Sequence, residues 1–196
     1  AVVPTRFVTD PAAFDPECDL PGDAEYVVKP TVSAGSANTV RHHADDRISG
    51  AAHVREILAL GKVAMVQPYQ AAVDDEGETA LLYFGGVLSH AIGKGPLLEA
   101  GRPAHRALFA EEHITRTTPE PNAEALGDRC LGALARVPAL AGIDHPPAYA
   151  RIDVLRGNDG RWAVLEVELV EPSLFFEWSD GGAERFAAVL VGLAAV

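Results

Sequence analysis

Positive charge is what this chain is short of. Its 16 Lys and Arg stand against 28 Asp and Glu, a formal net charge of −12. A broad DNA- or RNA-binding face needs a basic footprint, so nucleic acid is excluded as a partner. A small, locally basic ligand site is not excluded. Cysteine is almost as scarce. Cys18 and Cys130 make no disulfide scaffold and match no zinc spacing, so reduced thiols in a cytoplasmic protein are expected. Long apolar runs are missing too. FAAVLVGLAAV at 186–196 falls short of the ~20 residues that a bilayer requires. It reads as a terminal helix packed on the body, with no membrane partner. No signal-peptide pattern is present. The chain starts at Ala1 rather than methionine, which suggests a processed or excised piece.

Common catalytic signatures are absent as well. There is no Walker phosphate loop, no Rossmann glycine fingerprint, no His-Glu-x-x-His and no Gly-x-Ser-x-Gly elbow. His42, His43, His90 and His113 are scattered and are expected to be solvated or hydrogen-bonded in place. Neither repeats nor low-complexity tracts occur. At 196 residues the chain can bury one substantial core, divided into two lobes.

What is present is a mixture of helices and strands without regular βαβ alternation, which predicts an α+β fold. EYVVKP and KVAMVQPY read as strands stopped by Pro30 and Pro68. ISGAAHVREILAL has helical spacing, with Gly61 just past its end. TALLYFGGVLSHAIGK reads as two strands bent at Gly85-Gly86. AEALGDRCLGALARV is a helix. Residues 95–122 carry little legible pattern.

The clearest hairpin is AYARIDVLRGNDGRWAVLEVELV, folded about Gly-Asn-Asp-Gly. Its second strand holds Glu166 and Glu168, with Glu171 just beyond, in an otherwise apolar run. A loop symmetric about Asn158-Asp159 sets Arg151 opposite Glu166 and Asp153 opposite Val164. Arg151, Asp153, Glu166 and Glu168 then share one face. A one-residue slip would separate the two strands' charges. Carboxylates at roughly 4 Å repel by about 4 kcal/mol at an effective dielectric of 20. Either a hard cation such as Mg²⁺ or an ion-pair network on a solvated sheet face answers that repulsion. Pro172 ends the strand before the direction of Glu171 is fixed. Elsewhere, Lys29 ends a strand and is followed by TVSAGSANT. Those small residues can cradle phosphate on backbone N–H groups, or simply form a turn. Lys94 closes SHAIGK and by itself says little.

In this order, YVVKPTVSAGSANT, VAMVQPYQ, GETALLYFGGVLSHAIGK and ARIDVLRGNDGRWAVLEVELVEPSLFF resemble the ATP-grasp superfamily over most of residues 24–190. Within it they are most similar to the cycloserine-type branch of the glutathione-synthetase-like ligases. The resemblance implies two lobes, each an antiparallel sheet with helices, and a nucleotide held between them. It implies a lead-in segment at 1–23, joining a further N-terminal domain of full-length relatives. A small lobe at 24–68 and a large one at 69–196 follow.

By position, the resemblance gives Lys29 and Lys94 to the nucleotide phosphates. The loop over them holds Thr31, Ser33, Gly35 and Ser36. Gln67, Pro68 and Tyr69 match the linker that meets the adenine, and Glu78 the acid that binds the ribose. Arg151 lies near the transferred phosphoryl group, so Arg151 and Lys94 are the catalytic candidates. Asp153, Glu166 and Glu168 would hold Mg²⁺, or Mn²⁺ in its place. Glu168 replaces the usual asparagine, and E-x-E-x-x-E-P-S is the cycloserine-type variant. Glu171 and Ser173 fall where relatives face substrate or phosphate. Arg106 and Arg116 are further candidates near the substrate.

The activity implied is ADP-forming ligation of a small-molecule carboxylate to an amine through an acyl phosphate, or the ATP-binding part of such an enzyme. A homodimer is compatible with it. The competing readings are a non-catalytic nucleotide-binding fragment and a small α+β protein with an acidic sheet face and no nucleotide.

Overall fold

A computed structural model of the chain describes residues 1–33, 35–101, 113–134, 136–137 and 145–195. The chain divides into two compact units. One is built mainly from residues 3–69, the other from 70–96 and 113–196 with the first two residues.

The first unit is a four-stranded antiparallel sheet with the order β1-β4-β2-β3. Its strands are β1 Arg6–Val8, β2 Tyr26–Pro30, β3 Val40–His42 and β4 Ala64–Pro68. The two prolines stand at the last positions of β2 and β4, where a missing N–H costs the ladder least. A short α1, Pro16–Asp19, precedes the sheet, and α2, Arg47–Ala59, packs on it. Asp46 caps α2 by accepting from the Ser49 N–H. Gly61 takes φ 71° beyond its end, as the sequence pattern suggests. Val54 and Ile57 meet Val8, Tyr26, Val28 and Val66 in the core. The stretch read as a lead-in segment supplies β1, which pairs with β4 from Arg6 to Val8.

The second unit is a five-stranded antiparallel sheet with the order β7-β6-β5-β8-β9. Its strands are β5 Glu78–Phe84, β6 Val87–Lys94, β7 Ile114–Thr117, β8 Tyr149–Arg156 and β9 Trp162–Glu168. A one-turn α3, Val73–Glu76, leads into β5. The β5–β6 turn is Gly85-Gly86, both at positive φ, where L side chains are strained. On one face, α4 (Pro121–Leu134) brings Ala123 and Leu126 against Leu81, Tyr83, Ile152, Val154 and Val164. On the other, Ala80, Leu82 and Ile92 are covered by Leu174, Phe175 and Trp178 of the segment after β9. The C-terminal helix α5, Gly182–Ala194, packs its Phe186 on Phe84, Tyr149 and Phe176. No helix among the described residues is long and apolar enough to cross a membrane.

Two of the histidines read as solvated or hydrogen-bonded in place, His90 and His42, have partners. His90 bonds to Ser89 Oγ and the Leu174 carbonyl, each at 2.9 Å. His42 stacks on Tyr26 and bonds to His53 at 3.2 Å. Burial, reinforced by His53, pushes the His42 pKa from 6.5 down to about 4. The unfolded chain therefore takes up that proton near 6.5 and the folded chain only near 4. The stabilisation from the neutral ring is complete above 6.5 and is lost as pH falls toward 4. Urea melts at about pH 7 and about pH 5 are expected to show this loss, and His42→Gln to reduce it. An identical pH dependence in wild type and variant would contradict the assignment.

Candidate active site

The β8–β9 hairpin places the acids, and it does so in a register other than the symmetric one. The loop takes residues 157–161, closed by Arg156 opposite Trp162 and by the Gly157 N–H donating to the Arg161 carbonyl at 2.7 Å. That moves the pairing by one residue, so Val154 faces Val164. A bulge between Val164 and Glu166, with Leu165 as the extra residue, moves it by one more. Beyond the bulge Asp153 faces Glu166 and Arg151 faces Glu168. The expected pairs, Arg151 with Glu166 and Asp153 with Val164, are therefore corrected. The shared face survives because two single shifts restore the parity. Val164 and Val167 both pack toward α4, while Glu166 and Glu168 point the other way.

The rest of the face follows from sheet pairing. Glu78 lies opposite Lys94 on β5 and β6, and Ala80 lies opposite Asp153 on β5 and β8. Glu78, Lys94, Arg151, Asp153, Glu166 and Glu168 thus meet on the side of the sheet opposite α4. Lys94 Nζ donates to Asp153 Oδ2 at 2.9 Å and lies 3.3 Å from Glu78. Arg151 Nε donates to Asp153 Oδ1 at 3.0 Å, and its terminal nitrogen pairs with Glu168. Asp153 is only 1% exposed, yet both its oxygens are held by cations.

These contacts set the charge states. Burial alone would push the Lys94 ammonium down, but Asp153 and Glu78 outweigh it and hold the pKa above its ordinary value. Arg151 is likewise held up by Asp153 and Glu168 against the cost of burial. Burial pushes Glu168 up to about 7 against the pull of Arg151, with Glu166 and Asp153 adding to the rise.

Four carboxylates face two cations here, a formal excess of two negative charges. One ligand oxygen from each of Asp153, Glu166 and Glu168 lies within 4.8 Å of the others. Hard oxygen donors, close spacing and a deficit of two positive charges fit a divalent ion such as Mg²⁺.

The remaining candidates for the nucleotide belong to the first unit. Lys29 is opposite Met65 near the end of β2. Thr31 donates its N–H to the Val63 carbonyl at 3.0 Å. Thr31 and Ser33 are exposed, and Gly35 and Ser36 both take left-handed conformations. Gln67 is buried, with its Nε2 donating to Thr5 Oγ1 at 2.8 Å. Pro68 pairs with Tyr26. Tyr69 donates its N–H to the Glu25 carbonyl at 2.8 Å, and the Arg41 guanidinium stacks 3.5 Å from its ring centroid.

Glu171 stands apart from the acid cluster. It takes φ 47° and donates its N–H to the Tyr149 hydroxyl, while Ser173 is exposed. Arg116 is on the edge strand β7 and pairs with Asp180 at 2.9 Å. Arg106 lies outside the described residues. Sequence reasoning missed Phe175, whose ring lies 6.0 Å from the Arg151 guanidinium. Its only signal was an aromatic pair after the Pro172 turn.

No family model matches the chain. The chain is 38% identical over 170 residues to the cycloserine biosynthesis protein DcsG of Streptomyces lavendulae, covering 87% of this chain and 55% of that protein. The crystal structure of D-cycloserine synthetase DcsG superposes with a TM-score of 0.85 and 35% identity, over 97% of this chain and 64% of that one. Two more distant structures share the fold. The ATP-grasp ligase PsnB complexed with minimal precursor gives a TM-score of 0.56 at 20% identity, over 97% of this chain and 55% of its own. The D-alanine–D-alanine ligase from Bacillus anthracis complexed with ATP gives 0.58 at 14%, over 97% and 59%. The chain spans about half the length of the curated relative that it matches.

Asp153→Ala removes the shared partner of Lys94 and Arg151 and leaves two buried cations under-compensated. It is expected to cost about 3–5 kcal/mol in chemical denaturation. A cost within the range of a surface substitution would show that the pairing does not hold the face together.

Proposed function

The chain has the ATP-grasp fold and belongs to that superfamily, and on that premise we propose that it acts as an ATP- and Mg²⁺-dependent carboxylate–amine ligase, or as the ATP-binding part of one. The observation that carries this reading is the single sheet face holding Lys94, Arg151, Asp153, Glu166 and Glu168. Phosphoryl transfer asks a protein for positioning and charge stabilisation, and this face offers both.

Asp153, Glu166 and Glu168 would hold Mg²⁺, which when bound neutralises phosphate charge and orients its oxygens. Lys94 and Arg151 would steady the γ-phosphoryl group, with the planar guanidinium matched to two phosphate oxygens. In the first unit, Lys29 and the 31–39 loop would hold the remaining phosphates. Gln67, Pro68 and Tyr69 would meet the adenine, and Glu78 the ribose hydroxyls. A substrate carboxylate oxygen then attacks the γ-phosphorus and ADP leaves, giving an acyl phosphate. An amine attacks the acyl carbon next, forming the C–N bond, releasing phosphate and losing a proton. The substrates are a small-molecule carboxylate and amine.

Mg²⁺ with ATP is expected to raise the melting temperature. A ligand at a hundred times its dissociation constant stabilises by about 2.7 kcal/mol, enough to read directly. Glu166→Gln should weaken that Mg²⁺-dependent binding about tenfold or more while leaving the apo melting temperature nearly unchanged, since Glu166 is exposed. Nucleotide binding that is indifferent to this substitution would remove Glu166 from the metal set. ATP hydrolysis or ligation by this chain would set aside the reading of a non-catalytic binding fragment.

A further inference from the structure

The acid cluster carries its own cations, and we propose that this fixes the order in which the site fills. Lys94 and Arg151 act as built-in counter-ions of the metal acids, so a divalent ion binds strongly only after a phosphate group has drawn them away. The inference rests on the metal–nucleotide reading above.

The geometry is specific. Both oxygens of Asp153 are engaged, Oδ2 by Lys94 at 2.9 Å and Oδ1 by Arg151 at 3.0 Å. Arg151 also holds Glu168. Two of the three metal-ligand candidates are therefore already paired, and Asp153 and the Lys94 side chain are almost entirely shielded from water. A divalent ion approaching those oxygens meets an ammonium and a guanidinium at close range, in a setting where water screens poorly. Metal alone is thus opposed by like charge.

A polyphosphate reverses the balance. Lys94 and Arg151 can transfer their hydrogen bonds to phosphate oxygens, where charge-assisted and bidentate contacts are strong. Their release uncovers the oxygens of Asp153 and Glu168 for the metal. Glu78, the other partner of Lys94, keeps that ammonium anchored from β5 during the exchange. Metal and nucleotide then favour each other through the protein's own cations, a reciprocal coupling. This differs from simple capture of a preformed metal–nucleotide complex, in which the protein's affinity for metal alone would not depend on Lys94.

Lys94→Gln separates the two cases, because it removes one counter-ion and keeps hydrogen-bonding capacity. Calorimetric titration of the whole chain with MgCl₂ alone is expected to show binding about tenfold tighter in the variant than in wild type. Binding of Mg²⁺ with a non-hydrolysable ATP analogue should weaken in the same variant. Changes of opposite sign are the signature, since general damage to the fold weakens both. Should the variant be unstable, its melting temperature should rise more with MgCl₂ than wild type's, at matched ionic strength in NaCl. If it folds in neither salt, Arg151→Gln carries the same comparison with the same two outcomes.

The inference is overturned if wild type binds Mg²⁺ with the analogue but the variant binds MgCl₂ alone no more tightly than wild type does. It is equally overturned if wild type binds MgCl₂ alone as tightly as it does with the analogue. Wild type that binds neither would instead refute the metal–nucleotide reading itself.

Discussion

Asp153 is buried, charged and held from two sides, and the rest of the charged face is organised around it. A buried carboxylate is costly unless paired and hydrogen-bonded. Here β6 supplies Lys94 and β8 itself supplies Arg151, one to each oxygen. Those two cations then reach the neighbouring acids, Lys94 to Glu78 and Arg151 to Glu168. The network explains how a chain of net charge −12 keeps two cations side by side on one face. Its remaining excess of acid is what a divalent ion would answer.

Sheet architecture makes the network feasible. One face of the β7-β6-β5-β8-β9 sheet is sealed by α4 on a continuous apolar layer. That frees the other face to carry charge beside a small apolar patch, Ala80, Leu82 and Ile92, covered by the segment after β9. Leu165 is the hinge of the arrangement. Were Leu165 paired regularly opposite Asp153 instead of bulging out, Glu166 and Glu168 would share the face of Val164, toward the helix, and Asp153 would lack acid neighbours.

Much of this was legible in the sequence. The Gly-Asn-Asp-Gly turn, the proline-terminated strands, the helix ending at Gly61 and the paired strands around Gly85-Gly86 all carry local chemistry that fixes local structure. The shared face of Arg151, Asp153, Glu166 and Glu168 was also legible, although the register was not. An apolar Leu165 looks like any strand residue, so nothing local marks it as a bulge. The pairing of Arg151 with Glu168 rather than Glu166 depends on this bulge together with the one-residue shift set by the 157–161 loop. The strands β1, β3 and β7 were missed because three- and four-residue strands exist only by virtue of their sheet partners. The charge exchange at Lys94 was hidden for a similar reason. Glu78 and Asp153 are far from Lys94 in sequence, and only the β5 pairings bring them together.

The central claim is that this face, not another part of the protein, binds a metal together with a nucleotide. Paramagnetic broadening of backbone amide signals by Mn²⁺, recorded with and without a non-hydrolysable ATP analogue, tests it most directly. The account predicts that substoichiometric Mn²⁺ with the analogue erases the signals of Ala80, Asp153 and Glu166 while those of α5 persist. Broadening centred elsewhere, or none in the presence of the analogue, would contradict it.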